Sequence, residues 1–128
     1  MSARDTFNAY GAALAAGDMP ALAATFADDI VWHQPGRNSL SGDHHGPDAV
    51  LELLGSFMQR SGGTFELAVT GVVESGDLVA AAVNFSARRQ GEIDLAQNGI
   101  DVFHIANGRI AEVWLVSTDQ DAEDRFWG

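Results

Sequence analysis

The sequence predicts a single α+β domain in which three helices precede a curved antiparallel sheet. In three segments of the first 60 residues, apolar side chains recur every three or four positions, which is typical of amphipathic helices. From Thr64 onward the apolar period changes to two, and three turn signals divide this part into four long strands. Because 128 residues suit one domain with a sizeable core, we interpret residues 1–128 as one unit.

Capping residues and breakers bound the first two predicted helices. The first helix is expected to begin after Ser2 and to end before Gly17, a residue that stops the helical pattern. Asp18 is a suitable N-cap for the second helix, which has Pro20 in its first turn, where a missing N–H costs nothing. Leu22 and Phe26 are expected to form the buried stripe of this helix, and Asp28 and Asp29 to end it.

A short strand and a long loop separate the second helix from the third. β-branched and aromatic residues predict a strand from Ile30 to Gln34. The polar, Gly-rich segment 35–46 that follows is expected to be a loop that borders the pocket of the domain. Pro47 begins the third helix, which extends to about Arg60.

The four strands after Thr64 are expected to form consecutive hairpins, with turns at 75–77, 90–91 and 107–108. Their apolar residues occupy both faces, so both faces of the sheet must be covered. Helices can cover the concave face, and the simplest cover for the convex face is a second copy of the same sheet, so we expect a homodimer. The tail 119–128 is expected to form a short helix whose aromatic residues pack on the body.

The composition argues against several classes of partner. The net charge of −11 repels phosphate backbones, so nucleic acid is not an expected partner. The sequence contains no long apolar run and no pattern typical of a signal peptide, so we expect a cytoplasmic protein without a membrane partner. With no cysteine, chemistry must come from oxygen and nitrogen groups, and no cofactor motif is present.

Several short motifs resemble those of one known superfamily. The segments 10–18 and 26–29, followed by Pro35, are similar to the first third of ketosteroid isomerases, and 100–103 with Asn107-Gly108 is similar to their late strand and hairpin. The chain therefore resembles the nuclear transport factor 2-like superfamily, which includes ketosteroid isomerases and SnoaL-like polyketide cyclases. The resemblance implies a cone-shaped sheet around a pocket for a small apolar molecule.

The same resemblance implies roles for particular residues. Tyr10 occupies the position of the oxyanion-hole tyrosine of ketosteroid isomerases, and Asp101 that of the carboxylic acid that donates the second hydrogen bond. Gln34 occupies the position of their proton-shuttling aspartate, although an amide cannot take up and return a proton near neutral pH. SnoaL-like cyclases place an acidic base after the last strand, close to Asp119.

Strand parity gives independent support for Asp101. Its side chain shares parity with Phe103 and Ile105, so it should project into apolar surroundings, where a carboxyl group has a raised pKa and stays neutral. The competing interpretation is an aspartate that is bonded to nearby backbone or exposed at a bulge. For Tyr10, the alternative to a pocket role is an amphipathic core tyrosine.

Three residues are candidates for the missing proton carrier, in the order His45, His33 and Asp119. Imidazole is the commonest base near neutral pH. A solvated loop position is the alternative for His45. His33 has the opposite parity to Trp32 and Gln34, so it should face away from the pocket, which favours a structural or interface role. No metal site is expected, because the adjacent rings of His44 and His45 diverge.

Apolar residues on the concave face are expected to shape the pocket, together with Gln34. The predicted lining residues are Trp32, Gln34, Phe57, Phe85, Phe103, Val113 and Leu115. On the last strand, Trp114 shares parity with Ile110, Glu112 and Val116, which are expected to lie on the convex face of the sheet.

Three functions remain open at the level of the sequence. The first is a cofactor-independent isomerase, cyclase or dehydratase that acts on a small carbonyl compound, with Tyr10 and Asp101 stabilising a developing oxyanion. The second is a binding protein with the same pocket and no chemistry, which the amide of Gln34 favours. The third is an epoxide hydrolase, which would need an Asp-Arg-Asp cluster in the pocket.

Overall fold

The computed structural model describes residues 2–128 as four helices and six strands. The helices are α1 (Ala3–Ala16), α2 (Met19–Ala24), α3 (Pro47–Arg60) and α4 (Gln120–Trp127). The strands are β1 (Phe26–Gln34), β2 (Gly42–His45), β3 (Glu66–Ser75), β4 (Leu78–Ala87), β5 (Leu95–Ala106) and β6 (Arg109–Ser117). This arrangement confirms the predicted α+β class and the four strands after Thr64.

All six strands form one sheet in the order β2-β1-β6-β5-β4-β3. Neighbouring strands are antiparallel with one exception, because β1 runs parallel to β6. The four strands after Thr64 pair antiparallel as predicted, and β1 adds one parallel pair to the sheet. The core lies between the concave face and the helices. Within residues 2–128, no helix has both the length and the apolar character to cross a bilayer.

The predicted signals at the start of the chain act as caps in the structure. The Ser2 side chain accepts a hydrogen bond from the Asp5 backbone N–H at 3.1 Å, and the Asp5 carboxylate accepts one from the Ser2 backbone N–H at 2.9 Å. This reciprocal pair satisfies two of the free N–H groups at the helix start. Gly17 ends α1 with a φ of 65°, a left-handed conformation that suits glycine.

The second helix is shorter than predicted, since α2 ends at Ala24. The Thr25 hydroxyl donates to the Leu22 carbonyl at 2.7 Å, and the Thr25 carbonyl accepts from the Ile110 N–H at 2.7 Å. Phe26, expected on the helix, instead begins β1, pairs with Ile110 and is 1% exposed. Pairing with a distant strand therefore overrides a helical apolar spacing.

Two further segments contain more structure than a loop or a turn. Within 35–46, which was predicted to be a loop, Gly42–His45 form β2 and pair with the outer edge of β1. The tail forms α4, as predicted, and its residues Phe126 and Trp127 are both 2% exposed.

A bulge changes the expected faces of β6. Register shifts between His104 and Ile105, which pair with Glu112 and Ile110, so that Ala111 has no partner in the ladder. The extra residue inverts the alternation at this point. Ile110 is therefore fully buried in the core, and its predicted place on the convex face is wrong.

Candidate functional site

A cavity of about 850 Å³ lies between the helices and the concave face of the sheet. Its volume is within the range of pockets that hold small organic molecules. Met19, Met58, Leu67 and Val69 line the cavity and are at least 39% exposed, so they mark its mouth. Aromatic and aliphatic side chains form most of the remaining wall.

Most of the predicted lining residues lie at this wall. They are Trp32, Gln34, Phe57, Phe85, Phe103 and Leu115. Val113 does not line the cavity; it is fully buried in the core of the sheet. Val113 has the parity predicted for the concave face, but it packs within the buried core cluster, so its side chain does not reach the cavity.

Tyr10 and Asp101 meet at the same cavity from different elements. Tyr10 projects from α1, and its ring lies 5.4 Å from that of Phe103 and 6.2 Å from that of Phe26. Asp101 projects from the middle of β5, where it pairs with Ala81 and Leu115. Tyr10 is 7% exposed and Asp101 8% exposed, so the geometry expected from parity is present.

Burial raises the pKa of both groups. Removal from water raises the pKa of the Asp101 carboxyl to about 7, and the nearby charge of Glu123 contributes to the increase. Burial also raises the pKa of the Tyr10 phenol, and the charge of Asp101 adds to this effect. Both groups are therefore suited to donate hydrogen bonds rather than to carry charge.

Neither donor is committed to a partner within the described chain. Every fully enclosed side-chain nitrogen or oxygen among residues 2–128 has a hydrogen-bond partner. The Tyr10 hydroxyl and the Asp101 carboxyl bond to no other described residue, so they must open onto the cavity that both residues line. An occupant of the cavity can therefore accept hydrogen bonds from both.

The structure adds a second buried carboxyl, that of Glu123 on α4, which is 3% exposed. The Ser117 hydroxyl donates to Glu123 Oε2, and Gln34 Nε2 donates to Glu123 Oε1 over a long 3.5 Å. The Trp32 indole N–H in turn donates to Gln34 Oε1 at 3.0 Å. Burial raises the pKa of Glu123, and the hydrogen bond from Ser117 opposes the increase.

Sequence reasoning missed Glu123, although one local signal was present. Glu123 lies three and four positions before Phe126 and Trp127, so the three side chains share one face of α4. The prediction that the aromatic pair packs on the body therefore implied a buried glutamate. Its partners Ser117 and Gln34 come from β6 and β1, and no local pattern reveals them.

The structure places His33 outside the cavity, on the convex side of β1. Its Nδ1 lies 2.6 Å from Asp43 Oδ1, and its Nε2 lies 2.5 Å from Glu112 Oε2. The imidazole also stacks on Trp114 with 5.8 Å between ring centroids. Glu112 and then Asp43 raise the pKa of His33, which favours a charged structural histidine.

The other two proposed proton carriers also lie away from the cavity. His45 is exposed on β2, opposite Val31. Asp119 is the exposed N-cap of α4 and accepts from the Ala122 N–H at 3.0 Å. Among the described residues, none of 35–46 lines the cavity, because β2 pairs at the sheet edge; the prediction that this segment borders the pocket is wrong.

The matches with known proteins agree with this architecture. Residues 7–113 match the SnoaL-like domain. The chain belongs to this family. Ser117 and Glu123 follow the matched residues, so the carboxyl on α4 of this SnoaL-like protein lies beyond the part that the family describes.

Three relatives show how far the likeness of this SnoaL-like protein extends. An uncharacterised protein of Mycobacterium tuberculosis is 32% identical over 91% of this chain and 88% of its own length. A Xanthomonas campestris protein of unknown function with a cystatin-like fold is 40% identical, with a TM-score of 0.91, over 100% of this chain and 99% of that one. A proposed polyketide cyclase from Sinorhizobium meliloti is 25% identical, with a TM-score of 0.74, over 88% of this chain and 94% of that one.

Proposed function

We propose that this protein is a cofactor-independent enzyme that stabilises the oxyanion of a small, largely apolar carbonyl compound during isomerisation, cyclisation or dehydration. The observation that carries the proposal is Asp101, a buried carboxyl with a pKa of about 7 that opens onto an apolar cavity beside Tyr10. The likeness to a proposed polyketide cyclase supports carbonyl chemistry of this kind.

Two neutral donors at the wall of a largely apolar cavity are suited to this task. As a carbonyl becomes an enolate, negative charge develops on its oxygen, and hydrogen bonds to that oxygen strengthen. The phenol of Tyr10 and the acid form of Asp101 supply such bonds without placing a charge in the apolar wall. Because the donors are fixed by α1 and β5, they need little reorganisation during the reaction.

Titration with 2-naphthol tests the proposal, because its phenolate mimics an enolate oxygen. We expect the protein to bind the phenolate form, with a bound naphthol pKa below that in water, read from its absorbance. Tyr10→Phe and Asp101→Leu should each weaken binding about tenfold or more, since each removes a hydrogen bond to a charged oxygen. Asp119→Asn, at the exposed cap of α4, is the matched control. Equal affinity in all four proteins would contradict the proposal.

A binding protein without chemistry is the second candidate, and the locked amide of Gln34 favours it, because Trp32 fixes the amide oxygen. Proton exchange at a bound ketone separates the two candidates. The epoxide hydrolase alternative has no such support. Among residues 2–128, the one arginine at the cavity wall is Arg4, which is exposed on the first turn of α1.

We also propose that two copies pair through the convex face of the sheet. This face carries exposed apolar side chains, which a second copy would cover. They include Leu78, Ile100, Trp114 and Val116, which are 38% to 63% exposed. Sedimentation at micromolar concentration should show a dimer, and Val116→Lys should convert it to a monomer; a monomeric unsubstituted protein would exclude this pairing.

A further inference from the structure

We infer that Glu123 is the proton carrier of this site, occupying the role that His45, His33 and Asp119 cannot fill from their positions outside the cavity. The inference rests on the proposed carbonyl chemistry. Among the described residues, Glu123 and Asp101 are the two carboxyl groups at the cavity wall. It belongs to α4, an element beyond the residues that match the family.

The strand register places the two carboxyl groups near one another. Asp101 on β5 lies directly opposite Leu115 on β6, and Ser117 is two residues further along β6 on the same face. Diagonal neighbours of this kind are about 7–8 Å apart. Because the Ser117 hydroxyl bonds to Glu123, the Glu123 carboxyl lies about one diagonal step from Asp101. A carbonyl oxygen within hydrogen-bond reach of Asp101, about 2.6–3.2 Å, can therefore have its neighbouring carbon on the side of Glu123.

The surroundings of Glu123 give the two carboxyl groups different protonation states. Ser117 on β6 donates to Glu123 and lowers its pKa, whereas burial and the neighbouring Asp124 on α4 raise it. Asp101 receives no such donor, and the negative charge of Glu123 opposes its ionisation. Glu123 therefore ionises first, which leaves one carboxylate and one acid, the pair that acid–base chemistry needs.

The remaining groups that face Glu123 do not neutralise it. Gln34 on β1 contributes an amide N–H at 3.5 Å, and Tyr10 on α1 contributes a phenol to the same cavity. Among residues 2–128, the only cationic side chain at the wall is the exposed Arg4. The carboxylate of Glu123 therefore stays available as a base.

The proton transfer is balanced without a cofactor. The Glu123 carboxylate takes a proton from the carbon next to the carbonyl, and the C–H electron pair becomes the C=C bond of an enolate. The carbonyl π electrons move to oxygen, which accepts hydrogen bonds from Tyr10 and Asp101. The neutral Glu123 acid then returns the proton to another carbon of a conjugated enolate, and the C=O bond forms again. The result is an isomerisation with no net gain or loss of protons.

A purely structural role makes different predictions. Glu123 also joins α4 to β6 and β1 through Ser117 and Gln34. A strut of this kind needs an acceptor but no titratable group. The amide oxygen of Glu123→Gln can still accept from Ser117, so this variant retains the acceptor and loses the base.

Hydrogen–deuterium exchange of 2-tetralone, a small bicyclic ketone, tests the inference. In D₂O, the protein should accelerate exchange of the protons next to the carbonyl over buffer, as measured by proton NMR. Glu123→Gln should lower the protein-dependent rate by about 100-fold or more, because a positioned general base contributes about 10²–10⁴. The control Asp121→Asn changes an exposed acid of the same helix and should retain the rate.

The pH profile supplies a readout that a structural role would not change. The rate should increase with pH as Glu123 ionises and decrease above about 7 as Asp101 loses its proton. Glu123→Asp, which retains a shorter carboxylate, should be intermediate in rate and retain a bell-shaped profile, and it serves if Glu123→Gln does not fold. A folded Glu123→Gln protein with the wild-type rate, a Glu123→Asp protein with an unchanged rate, or wild-type exchange no faster than in buffer would overturn the inference.

Binding of 2-naphthol distinguishes failure of the inference from failure of the proposed function. If binding depends on Tyr10 and Asp101 while exchange does not depend on Glu123, the oxyanion site stands and the base is a different group. If binding depends on neither Tyr10 nor Asp101, the proposed function itself fails. In both cases Glu123→Gln should still bind 2-naphthol, which verifies that the cavity is intact.

Discussion

The pKa values of carboxyl groups shift in opposite directions on the two sides of the sheet. On the concave face, Asp101 and Glu123 lie in an apolar cavity, and the pKa of each is raised, chiefly by burial. On the convex face, Asp43 and Glu112 flank His33, and a hydrogen bond from the imidazole lowers the pKa of Asp43. The side-chain chemistry is the same, and the difference lies in solvent access and in the presence of a cation.

This contrast explains why His33 is poorly suited to act as the proposed base. His33 has the intrinsic pKa of a general base, but its two carboxylate partners hold the proton on the ring. The pKa of a carboxyl group that is buried and has no cationic partner instead increases from its usual low value toward neutral pH. Burial therefore raises the pKa of the carboxyl groups on the concave side, whereas pairing with His33 forms an ion cluster on the convex side.

Replacement of Asp101 should have the largest effect on the exchange rate. Asp101→Leu eliminates one oxyanion donor, and loss of one such donor lowers turnover by about 10²–10³. We expect the exchange rate of 2-tetralone to decrease by that factor. Leu95→Met, a change in the core at the start of the same strand, is the control for general disturbance of β5. A rate within twofold of wild type in Asp101→Leu would contradict a role for this acid.

The same burial predicts a dependence of stability on pH. The folded pKa of Asp101, about 7, is above its ordinary value of 3.8, so its contribution to stability is fully present below pH 4 and is lost as the pH rises through 7. Asp101→Asn cannot ionise and should be more stable than wild type at pH 8, by at most about 4 kcal/mol. Urea unfolding at pH 4 and pH 8 measures this difference, and an advantage equal at both pH values would disprove the linkage.

A cation placed on the concave face should make it resemble the convex face. Leu115 lies directly opposite Asp101, so Leu115→Lys places an ammonium group beside the carboxyl. An opposite charge at this range lowers a carboxyl pKa by about 1–3 units. Carbon-13 NMR of the Asp101 carboxyl should show the shift, whereas Leu115→Met should leave the pKa near 7. No change in Leu115→Lys would mean that the cavity wall is wetter than its burial indicates.

Disruption of the convex cluster should have the smallest effect. His33→Gln removes the imidazole from Asp43 and Glu112 and should cause a small loss of thermal stability, since half-exposed ion pairs contribute little. The raised pKa of His33 means that this contribution is present below pH 6.5 and is lost at higher pH. Exchange of 2-tetralone should be unchanged, and a large decrease would show that the two faces are coupled.

The sequence predicted elements whose signals are local. The capping box at Ser2, the stop at Gly17 and the period-two strands after Thr64 all depend on near neighbours, and all are present. Parity on β5 was sufficient to place Asp101 at the cavity wall.

The wrong predictions concern residues whose position depends on contacts with a distant part of the chain. Phe26 fits a helical stripe with Leu22, but it joins β1 because Ile110 lies across from it. Ile110 was assigned to the wrong face, since no residue pattern in the sequence predicts the bulge at Ala111. Glu123 was missed for the same reason, because Ser117, which marks its place at the cavity, belongs to another element.

The distribution of the three tryptophans gives the molecule separate optical reporters for its two faces. Trp32 and Trp127 line the cavity, whereas Trp114 lies 38% exposed on the convex face. A ligand that enters should therefore alter the emission of the first two, and contact between copies should shift that of the third. With single Trp→Phe replacements, occupancy and self-association become separable signals from one unlabelled sample.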